Sequence, residues 1–163
     1  MILIFTPNTE SPYNLIQITP NWGLLPEYDN DESKVIDYVI ERNKSSGQIA
    51  EGATYWLIDS EKVPTDHYFF EAWEYGDDSV IVNMSKARNI HMNAIRVERN
   101  KELAAKDITF MRSVEDGNTD AQATIKAEKQ ALRDLPTTFD ITTDVDTPEK
   151  LKAKWPTELP ARE

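Results

Sequence analysis

The chain has 163 residues, 18 Lys and Arg against 29 Asp and Glu, 39% hydrophobic residues and no cysteine. That composition supports one good core or two small ones, and it excludes a disulfide framework, a thiolate nucleophile and a cysteine zinc site. No run approaches the roughly 18 apolar residues of a membrane span, and residues 1–5 lack the basic flank and length of a signal peptide. A chain that begins here and stays in water is expected, without contact with a membrane.

Charge divides unevenly along the sequence. Residues 1–82 carry four basic side chains (Lys34, Arg42, Lys44, Lys62) against fifteen acidic ones, and the second half is balanced, so the whole net charge of −11 lies in the first half. An acidic surface of that density repels phosphate backbones and disfavours nucleic acid. A basic or polar protein partner fits it better.

The first half reads as a small acidic α+β unit over 1–82. Ile2–Thr6 and Tyr13–Ile18 are predicted as strands around a Pro-bounded polar turn. Pro20, Gly23 and Pro26 then break the chain into a loop, which puts Trp22 on a surface where aromatics favour interfaces. Val35, Ile36, Val39 and Ile40 recur at helical spacing within 31–43. Residues 53–59 read as a buried strand, 66–73 as a short helical turn, and 80–82 as a last strand. Trp56 and Trp73 are expected in the core.

The second half opens with a long helical pattern from about Met84 to Glu115. A turn at Asp116-Gly117-Asn118 follows, then a return helix ending at Leu135-Pro136, and together they predict an antiparallel helical hairpin over 83–136. Ala87, Ile90, Ala94, Val97, Lys101, Ala104, Ile108 and Met111 keep the alternating three-and-four spacing of a coiled-coil seam, broken at Lys101. The seam is expected to face Ala121, Ile125, Leu132 and Leu135 of the return helix. Its seven basic residues between 86 and 112 read as a solvated face or as one that docks on an acidic surface. Because a two-helix hairpin cannot cover both of its own faces, it is expected to pack on the N-terminal unit or on a second copy of the chain, by self-association. In the tail, 137–163, Thr147-Pro148-Glu149 is a strong helix start for a short helix over 148–155, with Leu151 and Trp155 on one face.

Motifs for chemistry fail one by one. Asp116, Asn118 and Asp120 copy the first positions of a calcium loop, but Ala121 and Ala127 replace the turn glycine and the bidentate carboxylate. His67 and His91 have no nucleophile or carboxylate at a recognisable spacing, and no glycine-rich phosphate loop exists. The carboxylates Asp140, Asp144 and Asp146 lack a histidine neighbour. No catalytic residue, metal site or cofactor is predicted, and the chain is read as a non-enzyme.

Several segments carry a resemblance when taken in order. Residues 87–91 (Ala-Arg-Asn-Ile-His), 107–112 (Asp-Ile-Thr-Phe-Met-Arg), 115–122, 129–136 (Lys-Gln-Ala-Leu-Arg-Asp-Leu-Pro) and 147–156 resemble the C-terminal region of small tailed-bacteriophage proteins of the tail and tail-fibre region, the phage tail assembly chaperones. A looser echo lies at 52–59 and 70–74. The resemblance spans 84–159. It implies a tail or tail-fibre assembly protein that binds phage tail or tail-fibre proteins, acting in the host cytoplasm during assembly. The alternative is a small structural virion component of the tail, baseplate or fibre attachment. Candidate partner contacts are Trp22, Leu132, Leu135 and Trp155.

Overall fold

A computed structural model describes residues 2–5, as backbone, and 15–162, and it divides the chain into two compact units, Met1–Asn83 and Met84–Glu163. The predicted turn at 7–12 and the start of the second strand lie outside the described residues.

In the first unit, β1 (Ile2–Phe5) is the middle strand of a three-stranded antiparallel sheet, between β2 (Ile16–Ile18) and β3 (Tyr55–Ile58). Between β2 and β3 runs α1 (Glu32–Ser45), started by the Asp31 carboxylate, which accepts from the Ser33 N–H at 2.9 Å. A short polar side chain there satisfies an amide that the helix cannot bond itself. Val35, Ile36, Val39 and Ile40 are buried on one face of α1, as their spacing requires, with Ile49 packed beside them. Gly47, at φ 72°, turns the chain out of the helix in the left-handed region that glycine adopts without steric cost.

A second cluster gathers Leu15, Ile58, Val63, Trp73 and Val80. Trp73 is fully buried as expected, whereas Trp56 is half-buried and stacks on Tyr75 with ring centroids 4.1 Å apart. Trp73 also opens β4 (Trp73–Gly76), a strand the sequence reading left unassigned apart from placing Trp73 at the end of the helical turn before it. The turn is shorter, a 3-10 segment over His67–Ala72. β4 pairs with β5 (Ser79–Val82) across Asp77-Asp78, whose φ values of 51° and 55° give the twist that a two-residue hairpin needs. The segment around Trp22 is likewise not a loop. It forms a 3-10 helix, Trp22–Tyr28, because the Asn21 side chain accepts from the Gly23 N–H at 3.1 Å and Pro26 already has a helical φ.

The second unit is built on α2 (Met84–Glu115) and α3 (Thr119–Thr138), joined by a tight turn. Gln122 donates to the Ser113 carbonyl near the turn, and Lys106–Glu128 and Lys129–Asp107 bond farther from it, so positions farther back on α2 face positions farther along α3. The helices are therefore antiparallel. In the turn, Gly117 takes φ 64°, and the Asn118 side chain caps α3 by accepting from the Ala121 N–H at 3.0 Å.

Two details differ from the sequence reading. Pro136 does not stop α3, which runs on to Thr138. A proline in the last turn forfeits a single backbone bond, and the Phe139 N–H still reaches the Leu135 carbonyl at 2.9 Å. The final helix, α4 (Pro148–Ala153), ends before Trp155. Its start is as expected, with the Thr147 hydroxyl accepting from the Lys150 N–H.

The larger correction concerns the seam. Ala87 is buried, but Val97, Ile108 and Met111 are each 58% exposed, and Lys101 and Ala104 are exposed with them. The face of α2 turned into the unit carries Met92, Ile95, Leu103, Phe110 and Ser113. At about 100° per residue, Val97 and Ile108 lie on the opposite side of the helix from Ile95 and Ser113. The larger side chains on the inner face fill the space against α3, and the small residues of the expected seam are left outside.

Candidate partner-binding surfaces

The helical unit closes on itself through its C-terminal segment. His91, fully buried on α2, lies with Nε2 at 2.7 Å from the carbonyl oxygen of Lys154. One turn earlier, Arg88 donates from Nη2 to the Val145 carbonyl at 3.0 Å. Lys154 Nζ donates to the Thr143 carbonyl at 3.0 Å, and Arg162 to the Lys152 carbonyl. Burial pushes the His91 pKa below 6.5. The hydrogen bond to Lys154 opposes that shift and the Arg162 charge adds to it. The ring is thus a neutral structural donor here, with its chemistry spent on a backbone oxygen.

Leu132 and Leu135 are each 2% exposed and sit in one cluster with Met92, Ile95 and Leu159. Trp155 is half-buried against the same cluster. Its indole N–H donates to the Pro160 carbonyl at 2.9 Å, its ring meets His91 edge-on, and Arg162 lies 4.5 Å over its face. Trp22 belongs to the other unit, half-buried on the Ile36, Val39, Ile40 and Ile49 cluster. The four predicted contacts therefore do not form one site. Trp22 and Trp155 keep exposed surface in separate units, and the two leucines lie beneath the surface.

Electrostatics separate the units further. In the first, Lys34, Lys44 and Lys62 are already committed to Asp29, Glu41 and Asp78. Its fifteen carboxylates outnumber its four basic side chains. In the second, Lys106 and Lys129 serve the hairpin, and Lys126 and Lys129 both approach the Phe110 ring at about 5.5 Å. Asp140 accepts from the backbone and hydroxyl groups of Thr142 and from the Thr143 N–H, which holds its carboxyl well below the usual range. That carboxylate orders a turn. No group of three His, Asp or Glu positioned for a metal occurs among the described residues, and no helix among them is long and apolar enough to cross a membrane.

Sequence reasoning missed the exposed apolar face of α2. The signal was available in side-chain size, because Met92, Ile95, Leu103 and Phe110 also recur at helical spacing and outweigh the alanines of the opposite face.

Residues 92–158 match the family model described as phage tail assembly chaperone protein. The match starts within α2, takes in the turn, α3 and α4, and ends beside Leu159. The resemblance read from the sequence thus holds over this segment, and it supports a role in phage tail assembly. No curated protein and no solved structure matches the chain.

Proposed function

We propose that the protein works by binding rather than turnover, as a transient chaperone that holds a phage tail or tail-fibre protein during assembly in the host cytoplasm. The observation that carries this reading is the family match over 92–158, which falls within a unit organised around its own core. Support for the kind of partner comes from the first unit. Its acidic excess suits a basic or polar protein surface, and Trp22 offers a large, partly exposed aromatic of the type that anchors interfaces. Trp155 is the second contact in this proposal. Leu132 and Leu135 act beneath it by holding the hairpin and tail together.

The test is proteomic. A chaperone co-purifies with a tail or fibre protein from infected cells and is missing from purified particles. Presence in particles at fixed copy number would instead make it a structural subunit of the tail, baseplate or fibre attachment. Absence from both would end the tail-assembly reading.

A further inference from the structure

The outer face of α2 is apolar and regular, half-buried at Ile90 and Ala94 and exposed from Val97 onward. Val97, Lys101, Ala104, Ile108 and Met111 alternate four and three residues apart, and this exposed stripe runs for ~21 Å at 1.5 Å per residue. Val97, Ile108 and Met111 remain 58% exposed, too much apolar surface at coiled-coil spacing to be scattered side chains.

The charges beside the stripe select its occupant. Glu98 and Arg112 stand at equal distances on either side of Ala105, and a two-fold axis through Ala105 would bring each onto the other in a second copy. The same operation sets Ile108 against Ala104 of the second copy. It also lays the Lys101 stem along the second copy's Met111, with the ammonium directed toward Glu115. Parallel pairing would stack Lys101 on Lys101 at the seam, and like charges at such a position repel. Lys101 and Glu98 are surface-accessible and now pair with each other at 2.7 Å, so exchange to a second copy costs no buried charge. Asp107, which would approach its own copy beside the axis, is already neutralised by Lys129.

We propose that two copies of this chain associate through the outer face of α2, from Val97 to Met111, as an antiparallel two-helix seam centred on Ala105. The interface is isologous, as a closed dimer requires. It does not rest on the tail-assembly reading, because its test uses the isolated protein.

Sedimentation equilibrium of the full chain should give twice the 18.7 kDa chain mass at high concentration, falling toward one copy on dilution. Ile108→Asp should leave the circular dichroism intact and the mass at one copy throughout. Glu98→Arg and Arg112→Glu alone should each raise the dissociation constant about tenfold or more, and the double reversal should restore it. Because the chain has no cysteine, an introduced thiol reports alone. Ala105→Cys should oxidise to a covalent dimer and Val97→Cys should not. A monomer at every concentration, an Ile108→Asp variant that still dimerises, or a covalent dimer through Val97→Cys would each overturn the proposal.

Discussion

His91 and Lys154 meet at 2.7 Å, a buried imidazole Nε2 facing a backbone carbonyl sixty-three residues further along the chain. Since a carbonyl can only accept, the ring nitrogen donates, and the contact closes the C-terminal segment over α2.

Stability should therefore follow the His91 titration. Burial lowers its folded pKa below the 6.5 of a free histidine, so the unfolded chain takes up a proton that the folded chain resists. The contribution is complete above 6.5 and is lost as pH falls through 6.5 toward the folded value. Melting temperatures measured from about pH 8 down to about pH 5 should drop over the lower part of that range, and His91→Gln should flatten the drop. An identical pH slope in the variant would contradict this origin.

The two faces of α2 and α3 should respond differently to truncation. Leu132→Ala with Leu135→Ala removes two side chains that are each 2% exposed, at a combined cost of about 4–8 kcal/mol. The two are neighbours, so their costs need not add. Val97→Ala, at a position 58% exposed, should change monomer stability by less than about 0.5 kcal/mol. Urea denaturation of dilute protein followed by far-ultraviolet circular dichroism measures both.

In the interhelix turn, Asn118→Ala should cost about 1 kcal/mol by removing the cap on the Ala121 N–H. Gly117→Ala should cost a similar ~1 kcal/mol because φ is 64° there. Calcium should not raise the melting temperature, since Asn118 is committed to the backbone and Ala121 and Ala127 offer no side-chain oxygen. A calcium-dependent rise that vanishes when Asp116, Asn118 and Asp120 are all replaced by Ala would restore a metal site.

A fragment of residues 84–163 should remain helical alone. Met92, Ile95, Leu132, Leu135 and Leu159 form a cluster supplied entirely from within it. A random-coil spectrum of that fragment would refute this.

The legible parts of the fold were those where pattern and local chemistry coincide. For α1, four apolar positions and an Asp cap say the same thing; for α4, Thr147 and Pro148 fix the start whatever lies nearby. β4 was missed because four residues are too few to display alternation, and its pairing with β5 is set across the Asp77-Asp78 turn. The α2 seam was misplaced because apolar spacing exists on both sides of that helix. Side-chain volume against α3 decides between them, and volume is a tertiary property. Leu132 and Leu135 stood out by spacing, but their burial depends on Leu159, which arrives from the far end of the chain. Trp22 and Trp155 were visible as aromatics, while their placement in separate units was not.

The closing contacts of the helical unit also set what kind of sequence change it tolerates. Arg88, His91, Lys154 and Arg162 grip the main-chain oxygens of Val145, Lys154, Thr143 and Lys152, and every amino acid supplies such an oxygen. For these bonds positions 143 and 152 need supply only that oxygen, whereas Val145 is also buried and Lys154 also donates through its side chain. Their spacing is not free. Arg88 and His91 stand one turn apart on a rigid helix and hold carbonyls nine residues apart, so they act as a gauge of chain length. One residue inserted or deleted between Val145 and Lys154 would misalign both grips at once, which no single replacement of those residues' side chains does.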